Sequence, residues 1–305
     1  RYHIRMVIGP DEYHEAVDDN AYTNVMAQWN LERGAETARL LQSRWPEHWR
    51  SLVERLNLKP ETWQRITEAM ETGFDPQTRL FEQFQGFFDL EEVDPAVLAK
   101  CTMPIDICLG REQTRRAKVI KQADVVAISA LLWNRFPREV HERNFRYYEP
   151  RTAHGSSLSP AFHALVAARL GDLPLVERYF RQAAEIDLAN NVGNATGGVH
   201  IAAMGGLWQA AVFGIAGMCL REDGLSFDPH LPQSWRKFSF SVQWHGRRLA
   251  VVMNRERRRI EVELHGNDPM TVEMVGGSVT VISPGHQCMA QWDGTARGAW
   301  QDSAL

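Results

Sequence analysis

Apolar positions recur at helical spacing from the start of the chain to about residue 222 and alternate after it. Residues 19–44 set Ala21, Val25, Trp29, Leu40 and Leu41 among charges, and acidic and Asn residues open the segment, which predicts a surface helix. Pro60-Glu61 predicts a short helix through Met70, and residues 116–134 a longer one with Val119, Ile120, Ala123, Val126, Ala127, Ala130 and Leu131 on its apolar positions. Two more are expected over 160–170 and 174–188, separated at Gly171-Asp172. Residues 199–220 are nearly uncharged and rich in Ala and Gly, as in a helix buried on several sides. Beyond Asp223-Gly224 the period becomes two. Strands are predicted over 238–244, 248–254, 258–265, 271–275 and 278–282, with Gly246, Gly266-Asn267-Asp268-Pro269 and Gly276-Gly277 as turns. The pattern therefore predicts a mainly α region over residues 1–222 and a small antiparallel β-sandwich domain over residues 223–305.

Composition narrows the class. The 305 residues are 44% hydrophobic and 24% charged, ordinary for a globular protein. A net charge of -4 with pI near 6.3 argues against nucleic acid or an anionic membrane as partner. No apolar run approaches the roughly 20 residues that cross a bilayer. Arg1-Tyr2-His3-Ile4-Arg5 carries neither an initiator Met nor a signal-peptide core, and is expected to lie inside a longer chain. Cys101, Cys108, Cys219 and Cys288 lack zinc-ligand spacing, so no metal is expected, and they suggest reduced thiols in a cytoplasmic protein.

Four segments could carry chemistry. In Gly9-Pro10-Asp11-Glu12-Tyr13-His14-Glu15 a turn presents two adjacent carboxylates, one of which could serve as a general acid; a solvated helix cap is the plain alternative. In Lys121-Gln122-Ala123-Asp124 a lysine sits in an apolar stretch, ready for a sugar hydroxyl or a phosphate, or simply paired with Asp124 or another acid. Thr152-Ala153-His154-Gly155-Ser156-Ser157-Leu158-Ser159 runs hydroxyls and a histidine into a helix N-terminus, which suits an anion as well as a plain cap. Gly197-Gly198-Val199-His200 opens the small-residue helix, where His200 is a ligand or a satisfied core residue. Arg255, Arg257, Arg258 and Arg259 alternate with acids and suggest a solvated hairpin.

Together these segments resemble the active-site signature of family 65 glycoside hydrolases and phosphorylases. The resemblance rests on Val7 through His14, Asn20-Ala21-Tyr22-Thr23-Asn24, Phe81-Glu82-Gln83-Phe84 with Gly86-Phe87-Phe88, Lys121 through Val125, Tyr147 through Ser159, and His200-Ile201-Ala202, in that order. It implies part of an (α/α)6 barrel followed by the C-terminal β domain. It also implies an absent N-terminal β-sandwich and first half of the barrel. Carried over, Glu12 is the general acid, Lys121 and Gln122 hold the glucosyl unit, and His154, Ser156 and Ser157 form the phosphate loop, with His200 as a further contact. Gly155 departs from the pattern, since several phosphorylases have Asp there, which leaves the identity of the disaccharide open.

An inverting hydrolase needs a second carboxylate to activate water, whereas a phosphorylase needs a cradle of donors for an anion that is already nucleophilic. Residues 152–171 contain no Asp or Glu, although Glu149 and Asp172 flank them. This favours inverting phosphorolysis of a maltose-, trehalose- or kojibiose-type substrate to β-glucose 1-phosphate. Partners would be a disaccharide or oligosaccharide and inorganic phosphate as co-substrate, with no cofactor; the resemblance also allows a homodimer. An inverting α-glucoside hydrolase, or a truncated carbohydrate-binding fragment without catalysis, remain the alternatives.

Overall fold

The structure, a computed structural model, describes residues 1–94, 96–97, 105–122, 124–189, 198–292 and 300–303. These form two compact units, Arg1–Ser159 and Pro160–Leu305.

The first unit opens with a loop that feeds α1 (Ala21–Arg44). Asn20 caps it, with Oδ1 accepting the Thr23 N–H at 2.9 Å, so one of the orphan amides of the first turn is satisfied. Pro46 begins α2 (Pro46–Leu56) and Pro60 begins α3 (Pro60–Ala69); each ring presets the first helical φ and forces the preceding residue out of the helix. Gly34 of α1 lets the Trp63 ring of α3 approach, with the position of a Cβ there only 3.3 Å from it. A two-stranded hairpin follows, β1 (Phe74–Asp75) and β2 (Leu80–Phe81). Then come α4 (Asp124–Leu131), buried at every position from Asp124 to Ala130, and α5 (Arg138–Tyr148). Asn144 of α5 ties the hairpin down, its Oδ1 accepting the Phe81 N–H at 2.9 Å.

In the second unit, α6 (Ser159–Leu170) and α7 (Leu173–Leu188) are separated by Gly171 at φ 77° and by Asp172, whose side chain accepts the Leu175 N–H. Next, α8 (Ile201–Gln209) passes into a wider π turn over Ala210–Ile215. Gly217 ends it at φ 60°, where a Cβ would lie 1.9 Å from the Asp228 carbonyl oxygen. The remaining strands are β3 (Cys219–Leu220), β4 (Gly224–Phe227), β5 (Lys237–Trp244), β6 (Arg247–Asn254), β7 (Arg259–His265), β8 (Met270–Met274), β9 (Val279–Ile282), β10 (Gln287–Gln291) and β11 (Gln301–Ser303). Among the described residues they form a five-stranded antiparallel sheet in the order β11-β10-β7-β6-β5 and a four-stranded sheet β3-β4-β8-β9, in which β4 and β8 are parallel. Alternation does what it should: Leu249, Val251 and Met253 of β6 and Ile260, Val262 and Leu264 of β7 are buried while their neighbours are not.

The predicted helix over 116–134 is corrected to Asp124–Leu131 alone. Its first half is extended: Ile120 N–H donates to the Arg151 carbonyl (3.0 Å) and Ala153 N–H to the Ile120 carbonyl (2.8 Å), so these backbone groups find partners across the fold rather than four residues back. The helix expected over 199–220 likewise stops at the π turn. Cys108 is disulfide-bonded while Cys219 and Cys288 form no disulfide, which corrects the expectation of four reduced thiols. Pairing depends on Cα atoms coming within about 4.4–6.8 Å, which chain spacing does not reveal. Cys101 lies outside the described residues, as do Ala123 and Gly197. Among the described residues no helix is long and apolar enough to cross a membrane, and no group of three or more His, Cys, Asp or Glu is placed to hold a metal ion.

Candidate functional site

The loop that carries Glu12 is pressed into the first unit because Gly9 has no side chain. A Cβ there would lie 2.4 Å from Asn20 Nδ2 and 2.5 Å from Asp124 Oδ2. Two residues on, Asp11 is buried and Glu12 turns outward, its side chain 58% exposed. The Lys121 ammonium contacts the Glu12 carboxylate. Gln122 donates its side-chain amide to the Pro10 carbonyl, so both residues expected to hold sugar stand against the acid's loop. Lysine pairing with an acid is thus observed, and the acid is Glu12 rather than Asp124.

Asp124 faces the other way. Its Oδ1 accepts the Asp11 N–H at 2.7 Å, and its Oδ2 accepts from Asn20 Nδ2. Burial above all, and then the nearby Asp11 charge, push the Asp124 carboxyl up to about 8, against the pull of the Asn20 and Asp11 donors. Its ordinary value is 3.8, so between about pH 4 and pH 8 the unfolded chain ionises this group while the folded chain keeps it protonated. Its contribution to stability is therefore complete below the unfolded value and is lost as pH rises towards 8. The urea midpoint is expected to fall across that interval more steeply in the natural protein than in Asp124→Asn, which cannot ionise; equal slopes would exclude this assignment.

The histidine–serine loop reaches the same place through the Ile120–Thr152 bridge. Thr152 Oγ1 donates to the Tyr148 carbonyl at 2.7 Å, and the Gly155 N–H to the Lys121 carbonyl at 3.0 Å. His154 adopts a positive φ of 52°, with Nδ1 3.0 Å from Ser159 Oγ, and Ser156 Oγ accepts the Leu158 N–H at 3.3 Å. A Cβ on Gly155 would lie 3.0 Å from the Tyr13 hydroxyl and 3.3 Å from Lys121 Cγ, so an Asp at this position would crowd both. Burial is the main cause that raises the Tyr13 hydroxyl well above its ordinary range, with Asp106 and Asp11 adding to it.

Glu12, Tyr13, Lys121 and Gly155 line one cavity of about 420 Å³, together with Arg111, Arg115, Asp106 and Glu15. Arg115 and Glu15 pair at 3.1 Å. His154, Ser156 and Ser157 flank Gly155 in sequence without lining that cavity. His200 belongs to the second unit, where its Nδ1 is 2.6 Å from Asp187 Oδ1 and its N–H donates to Asp187 Oδ2 at 3.0 Å. That pairing holds the Asp187 carboxyl below its usual range. A larger cavity of about 750 Å³ in the second unit is lined by Arg255, Arg258, Trp235 and Trp292 and holds none of the expected site residues.

Beneath the acid lie Asp11, Asn20, Gln83 and Asp124, each no more than 1% exposed; the sequence suggests Asp11 only as one of two adjacent carboxylates and Asp124 only as a partner for Lys121, and gives Asn20 and Gln83 no role. Asp11, Asn20 and Asp124 lie inside or beside the motifs singled out, and Gln83 inside the Phe81-Glu82-Gln83-Phe84 run.

Comparison with known proteins follows the same lines. The family description "Glycosyl hydrolase family 65 central catalytic domain" matches residues 1–209, and "Glycosyl hydrolase family 65, C-terminal domain" matches residues 218–281. The chain is 36% identical over 291 residues to the kojibiose phosphorylase of Thermoanaerobacter brockii, covering 92% of this chain and 37% of that protein. It is 34% identical over 279 residues to the alpha,alpha-trehalose phosphorylase of Geobacillus stearothermophilus, covering 90% and 36%. With the maltose phosphorylase of Bacillus subtilis the identity is 36% over 276 residues, covering 88% and 35%. A solved structure from the human microbiome, provisionally titled a kojibiose phosphorylase, shares the fold with a TM-score of 0.86 at 24% identity, covering 96% of this chain and 40% of that one. The chain thus spans little more than a third of the length of these curated relatives.

Proposed function

This chain belongs to glycosyl hydrolase family 65, and on that premise we propose that it takes part in the inverting phosphorolysis of an α-glucosidic disaccharide of the maltose, trehalose or kojibiose type. The observation that carries this reading is the joining of two segments. The loop of Glu12 and the loop of Gly155 meet at Lys121 and line one cavity, and the second loop contributes no carboxylate from 152 to 171. Phosphate held by His154, Ser156 and Ser157 attacks the anomeric carbon. The glycosidic C–O bond breaks, and the Glu12 proton passes to the departing sugar oxygen. Lys121 and Gln122 hold the glucosyl unit, and His200 adds a phosphate contact. The products are β-glucose 1-phosphate and a free sugar, and the step is reversible. Inorganic phosphate is the co-substrate, with no metal or organic cofactor.

The same proposal takes residues 1–222 as part of an (α/α)6 barrel and residues 223–305 as a C-terminal β-sandwich domain. It places the protein in the cytoplasm and allows a homodimer.

A second reading, an inverting α-glucoside hydrolase, is favoured by Glu15 and Asp106, two carboxylates in the cavity of Glu12 that could activate water. An assay of the protein carrying this chain on maltose, trehalose and kojibiose, with and without phosphate, separates the two. Phosphate-dependent release of glucose 1-phosphate is expected. Free glucose in equal amount without phosphate identifies the hydrolase, and no turnover in either condition identifies a non-catalytic fragment.

A further inference from the structure

Asp11 immediately precedes Glu12 and is 1% exposed. Its carboxylate is the meeting point of four nitrogens. Oδ1 accepts the N–H groups of Lys121 at 2.8 Å and Tyr13 at 3.2 Å. Oδ2 accepts Gln83 Nε2 at 3.0 Å and lies 2.7 Å from His14 Nδ1. Its own N–H is held by Asp124 Oδ1 at 2.7 Å. Around this point His14 Nε2 lies 3.2 Å from the Ala117 carbonyl oxygen, and the His14 ring packs on Phe84 with centroids 5.0 Å apart.

Two of those donors bear directly on Glu12. Tyr13 follows it in the chain, so the Asp11 and Tyr13 backbone amides are both anchored and the peptide carrying Glu12 is pinned on either side. Lys121 is the residue whose ammonium meets the Glu12 carboxylate, and Asp11 holds its backbone. One buried carboxylate thus sets the position of the exposed acid and of its cationic neighbour together. A buried carboxylate needs such donors merely to be tolerated, which alone would make Asp11 a folding residue. What goes beyond folding is that its donors come from the two places that fix the direction of Glu12.

We propose that Asp11 is a positioning residue for proton delivery, setting Glu12 and Lys121 in the one geometry that brings the acid to the leaving oxygen. This role rests on the assignment of Glu12 as the acid. Misplacement of a reacting group by an ångström is enough for a loss of about a hundredfold. The share of such a loss that comes from misplacing the acid appears only where a proton must be delivered.

The test compares leaving groups in the protein carrying this chain, with inorganic phosphate as nucleophile. The substrates are the best-used member of maltose, trehalose and kojibiose, and α-glucosyl fluoride. In the fluoride the C–F bond breaks as the phosphate oxygen bonds to carbon, and fluoride departs with the electron pair without needing a proton. Asp11→Asn keeps the shape but turns an amide towards Gln83 and His14. It is expected to lower kcat on the disaccharide by about 10- to 100-fold, to leave KM for phosphate within about threefold, and to lower turnover of the fluoride by less than about threefold. Gln83→Met removes one donor without touching Glu12, and it carries the same test if Asp11→Asn fails to fold; the same selective pattern, smaller in size, is expected. Equal losses on both substrates, or an unchanged kcat on the disaccharide, overturn the proposal. Glu12→Gln run in parallel tests its foundation: full disaccharide activity there removes the acid assignment, and the positioning role falls with it.

Discussion

Glu12→Gln is expected to slow disaccharide phosphorolysis by about 10²–10⁴-fold, the contribution typical of a positioned general acid. Glutamine keeps the shape and can still accept a hydrogen bond from the Lys121 ammonium, but it has no proton of suitable acidity for the departing sugar oxygen. The side chain is 58% exposed and its partner 26%, so the ion pair adds little to folding. The melting temperature should therefore stay close to that of the natural protein while the initial rate of glucose 1-phosphate release collapses. A variant that keeps its rate within threefold would remove Glu12 from the reaction.

Gly9→Ala should do the opposite, acting on stability first. The new Cβ would stand 2.4 Å from Asn20 Nδ2, 2.5 Å from Asp124 Oδ2 and 2.8 Å from Asn20 Cγ. Neither neighbour can move freely. Asn20 Oδ1 caps α1 through the Thr23 N–H, and Asp124 Oδ1 holds the Asp11 N–H. Overpacking and the broken buried hydrogen bonds together should cost about 2–4 kcal/mol. Urea unfolding measures this directly, and a midpoint unchanged from the natural protein would show that the loop rides over Asn20 and Asp124 without strain. Since the same loop carries Glu12, the folded fraction should also be a poorer catalyst per molecule.

The strands β6, β7 and β8 were legible because one face of each is buried, so the period of two is written directly into residues such as Leu249, Val251 and Met253; β5 and β9 alternate as well but bury only Val242 and Ile282. The break at Gly171-Asp172 was legible for a local reason as well, a left-handed glycine followed by a capping aspartate. Residues 116–122 were not. Val119 and Ile120 suit a helix face as well as an extended core segment, and the choice was made from far along the chain, where the Arg151 carbonyl accepts the Ile120 N–H and the Asp11 carboxylate accepts the Lys121 N–H. The helices α2 and α5 and the strands β3, β4, β10 and β11 were missed as well; of these, β4 and β10 are fixed by pairing with β8 and β7, far along the chain. Within the candidate site, Glu12, Lys121 and Gln122 could be picked out as motif residues with chemistry to offer. Asp11 looked like one more acid in a cap, because nothing local shows that Gln83, His14 and Lys121 converge on it.

The distance along the chain between Glu12 and the lysine it meets is 109 residues. Closing a loop of that length costs roughly 4 kcal/mol in chain entropy, and no short-range contact can substitute for it. During synthesis at roughly 5–20 residues per second, Glu12 leaves the ribosome several seconds before Lys121 exists to meet it. The acid is therefore assembled late, by the same contacts that complete the first unit. Partly made or partly unfolded chains hold the carboxylate but not its geometry, and proton delivery becomes a property of the finished fold.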